Sequence, residues 1–393
     1  MIAVIADDLT GAAELGGIGL RHGLRTEIRT SVASLGSVAD ARAGGRAGDA
    51  RADQPAGDVP DLLVIAADSR SKPEAAAIEE MTTITRALKS LQPEWIYKKT
   101  DSVLRGHVIA ELKIHLEILG LQSALLIPAN PTLGRVIRDG HYFLNGKPIH
   151  HSAFSIDPEF PIYSSDIQDM LHARQQPVQL RKPDEDLPVR GIVVGEVQDL
   201  SDLQKWAHRL PSRTLAAGAA GFFSALLDRR SPLPALPDDR QSLGSPLLFV
   251  SGSTFDRSRD SIKRQLEAGG PVRYMPENPG ETWHDEVAGL LQAQKKAILA
   301  IDPEWHQFTA SELRTTMASA IRDILRKAGP AEMEVIIEGG ATAYAILQTM
   351  NWKTFIPIQE LAPGLVRMRV AEAPGLFVTV KPGSYPWPDT ISY

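Results

Sequence analysis

The chain has 393 residues, and its 42 basic and 48 acidic side chains give a formal net charge of −6. This charge argues against a nucleic-acid-binding protein, because such proteins need a basic face. A hydrophobic content of 43% excludes global disorder. Cysteine is absent, which excludes disulfides, thiolate catalysis and zinc sites with sulfur ligands. At roughly 150 residues per domain, the length predicts two or three domains.

The sequence shows no apolar stretch long enough to cross a membrane. The most apolar one, residues 215–227, falls short of the ~20 residues that a span needs. Asp7 and Asp8 interrupt the first apolar run too early for a secretory signal peptide. We therefore expect a cytoplasmic protein that binds small molecules rather than a membrane or a nucleic acid, and a homo-oligomer is compatible with the sequence.

Short apolar runs that end in a polar turn and lead into a helical pattern recur along the first half. Residues 2–6 precede a helix that extends to His22, and residues 62–66 precede a helix around residues 73–90. Residues 94–97 precede a helix that carries Val108, Leu112, Leu116 and Leu119 at helical spacing, and residues 124–127 form a further strand. Strands that alternate with helices predict an α/β fold with a mostly parallel sheet.

Two segments interrupt this alternation. Residues 36–58 are rich in Gly, Ala, Asp and Arg and predict a mobile loop inserted in the first domain. Residues 228–246 contain a cluster of prolines and charges and predict a linker. We therefore predict two α/β domains, residues 1–230 and 246–393, joined by a linker at about 231–245, each with a mostly parallel sheet flanked by helices.

The second half repeats the strand–helix pattern. A strand at residues 247–250 leads to a helix that extends to Ala268, and further strands are predicted at residues 297–301, 335–337 and 376–380.

Three polar motifs follow strand ends in the first half. Asp7 and Asp8 could accept hydrogen bonds from substrate hydroxyls at the edge where open α/β sheets bind ligands, or Asp8 could cap the next helix. Residues 98–106 combine cations, a carboxylate and hydroxyls, which suits an anionic polyhydroxylated ligand but also a solvated turn with local ion pairs. Residues 130–135, followed by 139–140, could complete the same pocket; taken alone they favour a turn-rich connection.

Two motifs of small residues follow strands in the second half, at residues 251–254 and 338–342. Small residues let backbone N–H groups approach phosphate oxygens. Neither motif is specific alone, and the chain contains neither a P-loop nor a dinucleotide-binding glycine motif after a strand. The adjacent His150 and His151 have no acidic partner at ligand spacing, so we expect no metal site there.

Five segments occur in the same order as in the four-carbon acid sugar kinase family, which the chain resembles over essentially its whole length. They are IADDLTGAAELG at 5–16, YKKTDSVLRG at 97–106, IPANPTLGR with the following RDG at 127–140, VSGST at 250–254 and EGGAT at 338–342. The resemblance implies two α/β domains and the phosphorylation of threonate, erythronate or 3-oxo-tetronate with ATP. The N-terminal domain would hold the acid sugar and the C-terminal domain the nucleotide.

The chain departs from the family pattern at Ala341, where many members have an acidic residue, and in the loop after residue 381. A kinase of another small hydroxy acid and a non-catalytic sensor of a sugar acid or nucleotide therefore remain alternatives.

The resemblance leads to expected roles for individual residues in an in-line transfer of the ATP γ-phosphoryl group. Asp101 is expected to orient or deprotonate the accepting hydroxyl, and Arg105, helped by Lys99, to bind the substrate carboxylate. The full set predicted to bind substrate is Asp7, Asp8, Lys99, Ser102, Arg105 and Gly106. The residues predicted to line the ATP site are Ser251, Ser253, Gly339, Gly340, Ala341, Thr342 and Gly383. Mg²⁺ is expected to be carried mainly by phosphates and water rather than by protein ligands.

Overall fold

The computed structural model describes residues 1–36, 38–39, 59–157, 159–175, 178–230, 242–253, 256–302, 304–305, 307–329, 332–383, 385–388 and 391. The predicted loop at residues 36–58 and the predicted linker at 231–245 lie largely outside these residues, and so does Thr254 of the predicted phosphate motif.

The helices are α1 (Leu9–Arg21), α2 (Glu74–Ser90), α3 (Val108–Leu119), α4 (Ile167–Met170), α5 (Leu200–Arg209), α6 (Ala220–Asp228), α7 (Asp256–Glu267), α8 (Glu281–Gln294), α9 (Ala310–Ala328) and α10 (Gly340–Thr349). The strands of the first half are β1 (Ile2–Ala6), β2 (Thr26–Arg29), β3 (Leu62–Ala66), β4 (Ile96–Lys99), β5 (Ser123–Ile127), β6 (Arg135–Arg138), β7 (His141–Leu144), β8 (Lys147–Pro148), β9 (Gln179–Arg181), β10 (Gly191–Gly195) and β11 (Thr214–Gly218). Those of the second half are β12 (Leu247–Ser251), β13 (Val272–Met275), β14 (Lys296–Ile301), β15 (Met333–Glu338), β16 (Thr354–Ala362), β17 (Leu365–Val370) and β18 (Ala373–Lys381).

One large sheet contains strands from both halves, in the order β13-β14-β12-β15-β18-β17-β16-β2-β3-β1-β4-β11-β5-β10-β9. The strands from β2 to β9 in this order are parallel, as are those from β13 to β18. Among the described residues of this sheet, only the pairings that involve β16 and β17 are antiparallel. A separate three-stranded sheet of β6, β7 and β8 is antiparallel. The predicted α/β class with a mostly parallel sheet is confirmed.

The central strands form because their residues are apolar on both faces. Every residue of β1, β3 and β5 is buried, as expected where helices cover both sides of a parallel sheet. Each strand predicted from the sequence is present, although the one predicted at residues 94–97 lies two residues later, at Ile96–Lys99. None of the described helices is long and apolar enough to cross a membrane.

The two halves meet at β2 and β16, which pair antiparallel through Ile28 and Phe355. Helix α1 packs against β16 and β17, and two of its glycines allow the close approach. A Cβ on Gly16 would lie 3.0 Å from Pro357 Cγ, and one on Gly17 would lie 2.7 Å from Val366 Cγ2. The first helix therefore contributes to a core shared by both halves. The domain boundaries at 230 and 246 stay a prediction.

Candidate functional site

The carboxyl ends of β3, β1 and β4 lie side by side, because Ala6 pairs with Ala66 on one side and with Lys99 on the other. The polar segments that follow these three strands therefore meet at one edge of the sheet. The ends of β12, β15 and β18 are arranged in the same way, with Ser251 opposite Glu338 and Glu338 opposite Lys381.

Asp8 caps helix α1. Its Oδ1 accepts a hydrogen bond of 2.8 Å from the backbone N–H of Gly11, and its Oδ2 accepts one of 2.5 Å from the Thr10 hydroxyl. The capping interpretation of the sequence is therefore correct for Asp8. Its carboxylate nonetheless lies at the ligand edge of the sheet.

Arg70, which the sequence analysis did not single out, joins the carboxylates of this edge. Its Nη2 lies 2.7 Å from Asp7 Oδ2 and 3.3 Å from Asp8 Oδ1, and its Nη1 lies 3.6 Å from Asp101 Oδ1. Arg70 follows β3, so its position at a strand end was the signal that could have identified it. Gly106, in the left-handed region with φ of 87°, packs on this side chain, since an added Cβ would lie 3.0 Å from Arg70 Cγ.

Asp101 forms a bidentate ion pair with Arg105. Arg105 Nε and Nη2 donate to its two oxygens at 2.8 and 3.0 Å, and the Arg105 backbone N–H donates at 3.1 Å. Burial alone would raise the pKa of Asp101, but Arg105 and Arg70 outweigh it and hold the pKa far below its usual range. The remaining terminal nitrogen of Arg105, Nη1, donates to Asp157 Oδ2 at 2.8 Å. All three side-chain nitrogens of Arg105 therefore have carboxylate acceptors within the protein.

The pKa values of Asp7 and Asp8 are shifted in opposite directions although the residues are adjacent. Burial raises the pKa of Asp7, despite the nearby Arg70. At Asp8 burial acts in the same direction, but Arg70 and Lys99 together with the capping hydrogen bonds lower its pKa. Neighbouring carboxyls with opposite shifts are the pattern found where one group stays ionised and the other holds or moves a proton.

Three buried polar atoms at this edge have no hydrogen-bond partner among the described residues. They are Asp7 Oδ1, Ser69 Oγ and Thr100 Oγ1, which follow β1, β3 and β4. A buried polar atom without a partner is costly, so such atoms indicate a missing water or ligand. Their arrangement on three neighbouring strand ends fits a ligand with several hydroxyl groups.

Lys99 and Ser102 lie beside this cluster. Lys99 Nζ donates to the carbonyl of Thr100 at 2.9 Å and lies 3.9 Å from Glu14 Oε2. The Ser102 hydroxyl accepts a hydrogen bond from Arg135, and its carbonyl accepts one of 2.5 Å from the Tyr142 hydroxyl. The structure thus brings together all six residues that were predicted to bind substrate.

The second half places a helix N-terminus at the same edge. Gly339, with φ of 106°, is the N-cap of α10 and has no side chain to cap the helix. Thr342 packs on Gly252 so closely that a Cβ there would lie 2.0 Å from Thr342 Oγ1. Uncapped N–H groups beside small residues can receive phosphate oxygens.

A buried ion pair lies beneath this turn. Lys381 Nζ donates to Glu338 Oε1 at 2.6 Å, and the Ser251 hydroxyl donates to Glu338 Oε2 at 3.3 Å. The other residues predicted for ATP lie in α10 or follow the neighbouring strands. Ser253 follows β12, Ala341 lies in the first turn of α10, and Gly383 follows β18.

The two clusters contact each other. A Cβ on Gly340 would lie 3.1 Å from Thr10 Cγ2 and 3.3 Å from Asp8 Oδ2. The hydroxyl of Tyr385, beyond β18, also reaches the first half and donates to Glu14 Oε1 at 2.7 Å. The residues predicted for acid sugar and those predicted for nucleotide therefore lie next to each other.

Residues 2–226 match the family described as the sugar-binding N-terminal domain, which is more than half of the chain. The chain belongs to this family. It is 29% identical to a D-threonate kinase of Salmonella typhimurium over 68% of the chain and 61% of that protein, so the match spans less than two thirds of this relative. It is 24% identical to a D-threonate kinase of Bordetella bronchiseptica over 99% of the chain and 95% of that protein.

Other curated relatives are a D-erythronate kinase and a 3-oxo-tetronate kinase. These relatives confirm the resemblance to the four-carbon acid sugar kinases. A solved structure from Salmonella typhimurium LT2 matches the fold with a TM-score of 0.74 at 17% identity, covering 98% of this chain and 96% of that one.

Proposed function

We propose that the protein is an ATP-dependent kinase that phosphorylates a hydroxyl of a four-carbon acid sugar: threonate, erythronate or 3-oxo-tetronate. The observation that carries this proposal is the contact between Gly340 and the Asp8–Thr10 segment. Phosphoryl transfer needs the donor phosphate and the accepting hydroxyl to be held side by side in a dry site. The names of the curated relatives support the same reaction.

In this proposal the first half binds the sugar. Asp7 Oδ1, Ser69 Oγ and Thr100 Oγ1, which have no hydrogen-bond partner among the described residues, pair with hydroxyl groups of the substrate. Asp101 orients the accepting hydroxyl, because a carboxylate whose pKa is held low by two arginines stays ionised and is a weak base.

The second half binds ATP in this proposal. The N–H groups at Gly339 and Gly340 receive phosphate oxygens, and Ser251, Ser253, Ala341, Thr342 and Gly383 line the nucleotide site. Mg²⁺ would neutralise phosphate charge; Asp8, whose carboxylate lies beside the Gly340 turn, is the protein group placed to contact its water shell.

The test is ADP release in a coupled assay with the purified full-length protein. The acceptors are D-threonate, D-erythronate, 3-oxo-tetronates and, as a control, a neutral tetritol. We expect ADP release that depends on the added acid sugar for at least one tetronate, and much less ADP release with the tetritol. ATP and tetronate binding without any ADP release would instead support the sensor alternative, and activity only on other hydroxy acids would change the substrate class.

A further inference from the structure

Arg135, the last residue of the 130–135 motif, is a buried cation without a carboxylate partner in the described part of the chain. Arg135 is only 6% exposed. Nη1 donates to the Ser102 hydroxyl, while Nε is buried and has no acceptor among the described residues. Reciprocal backbone hydrogen bonds of 2.9 and 3.1 Å with Asn130 hold Arg135 at the start of β6.

Other deeply buried arginines of the described residues are paired. Arg29 is 5% exposed and pairs with Glu27, and Arg367 is 3% exposed and pairs with Glu334. Burying an ionised group is strongly unfavourable unless a nearby opposite charge compensates for the lost hydration. Within the part of the chain that the structure describes, Arg135 therefore lacks an anion that would compensate for its burial.

The surroundings of Arg135 are aromatic. Its guanidinium carbon lies 5.5 Å from the ring centre of Phe154 and 5.9 Å from that of Tyr385. Such rings attract a cation but offer no strong hydrogen-bond acceptor in place of water. The two rings shield the guanidinium from solvent but carry no negative charge that would balance it.

Arg135 also lies beside the proposed acid-sugar pocket. Its hydrogen bond ends on Ser102, next to Asp101, and Arg105 stacks on the same Phe154 ring at 5.4 Å. All three side-chain nitrogens of Arg105 already donate to Asp101 and Asp157. Arg135, by contrast, has no carboxylate acceptor among the described residues.

We propose that Arg135, rather than Arg105, binds the carboxylate of the acid sugar. A carboxylate is best recognised by two parallel N–H groups on one edge of a guanidinium. Because Nη1 is used by Ser102, the edge formed by Nε and Nη2 receives the acid. Nε is shielded from solvent, so Phe154 or Tyr385 must move as the acid enters. The identity of the ligand rests on the proposed kinase function.

The test compares Arg135→Gln with Arg138→Gln in the full-length protein. Arg138 lies on the same strand but is exposed, so its substitution controls for the loss of one positive charge. Calorimetry measures the binding of D-threonate, D-erythronate and a neutral tetritol. We expect R135Q to weaken acid-sugar binding by about 30-fold or more, as for one partner of a buried charge pair, with little change for the tetritol. Arg135→Lys should retain only part of the affinity. Lysine keeps the positive charge but lacks the two parallel N–H donors of the guanidinium group.

Melting temperature separates this role from a structural one. R135Q removes an unpaired buried charge, so the ligand-free variant is expected to melt at the same temperature as the parent or higher. Acid sugar should raise the melting temperature of the parent but not of R135Q. A ligand-free R135Q protein that melts clearly lower would indicate that Arg135 holds the fold together, and would overturn the proposal.

The remaining outcomes distinguish this inference from the kinase proposal. If the parent phosphorylates a tetronate and R135Q binds it equally well, the assignment of Arg135 is wrong and the kinase proposal stands. If tetronate binding depends on Arg135 but no ADP is released, the assignment stands and the kinase proposal fails. If the parent binds none of the tetronates, both fail.

Discussion

At the scale of single residues, the carboxyl ends of β3, β1 and β4 carry a network of charged side chains that shift one another's pKa. Arg70 contacts Asp7, Asp8 and Asp101, and Arg105 holds Asp101 from the other side. The two arginines keep Asp101 ionised, whereas Asp7 retains a buried oxygen without a partner among the described residues and has a raised pKa. The two carboxyls thus have opposite pKa shifts, downward at Asp101 and upward at Asp7.

Asp101→Asn should lower kcat by about 10²-fold, because the accepting hydroxyl loses the carboxylate that orients it. It should also lower the free energy of unfolding by about 3–5 kcal/mol, because Arg105 and Arg70 lose a buried counter-charge. Steady-state kinetics and urea denaturation measure the two effects. Asp157→Asn is the matched control, since it removes the other carboxylate partner of Arg105; a change in kcat as large as that of D101N would contradict a specific role for Asp101.

Asp68 gives a pH-dependent prediction. Burial raises its pKa to about 7. The folded state therefore binds a proton more tightly than the unfolded chain, so this group lowers the free energy of unfolding as pH rises from about 4 to above 7. Asp68→Asn should remove this loss and stabilise the protein at pH 8 by more than about 1 kcal/mol, since each pKa unit corresponds to about 1.4 kcal/mol.

Asn also tolerates the left-handed backbone of residue 68, with φ of 50°. Thermal denaturation at pH 4.5 and pH 8 measures the difference between D68N and the parent. A stabilisation of the same size at both pH values would exclude titration of Asp68 as its cause.

At the scale of elements, the N-termini of α1 and α10 converge. Helix α1 begins after Asp8, which caps it, and α10 begins at Gly340 with an uncapped turn. The difference follows from the sequence, because Asp is a strong N-cap residue and Gly has no side chain to satisfy the first N–H groups. One helix end therefore presents a carboxylate, and the other presents N–H groups that no side chain caps among the described residues.

Gly340→Val should weaken ATP binding by about tenfold or more while tetronate binding persists, because its side chain would occupy the space beside Thr10 and Asp8. Gly289→Val is a matched control within a helix, since a Cβ on Gly289 meets nothing within 4 Å. Calorimetry with ATP and with a tetronate checks the expectation. A folded G340V protein that binds ATP as tightly as the parent would refute the nucleotide site proposed here.

At the scale of the whole molecule, contacts far apart in the chain hold the halves against each other. Strand β2 pairs with β16, α1 packs on β16 and β17, and Arg314 of α9 lies 3.9 Å from Glu159. The hydrogen bond from Tyr385 to Glu14 is a further contact between the halves. The relative position of the Asp8 and Gly340 turns therefore depends on contacts between the halves.

Tyr385→Phe should lower the free energy of unfolding by about 1–2 kcal/mol, because it removes a hydrogen bond to a charged acceptor. It keeps the aromatic ring against Arg135. Tyr163→Phe, at a residue that is 79% exposed, should change the free energy of unfolding by less than about 0.5 kcal/mol. Urea denaturation measures both; equal effects of the two variants would mean that the Tyr385 hydroxyl does not tie the halves together.

The sequence failed to predict β16 and β17, which complete the sheet between the halves. Few residues of β16 are fully buried, and Pro357 and Glu360 interrupt its apolar pattern, so it lacks the continuous apolar run of the parallel strands. It is a strand because β17 and β2 supply its hydrogen-bond partners. Its pairing with β2 is non-local, whereas its hairpin with β17, closed by Pro363 and Gly364, has a local turn signal that the sequence analysis overlooked.

The sequence by itself determined the α/β class, the apolar central strands and the placement of polar motifs at strand ends. These properties depend on local patterns of side chains, which act over a few residues. Only the tertiary structure decided which charges pair. Arg70 reaches Asp7 across 63 residues and Arg105 reaches Asp157 across 52, so that Arg105 is already paired while Arg135 is left without a counter-charge among the described residues. Ion pairing depends on distances in space, and the order of residues does not specify those distances.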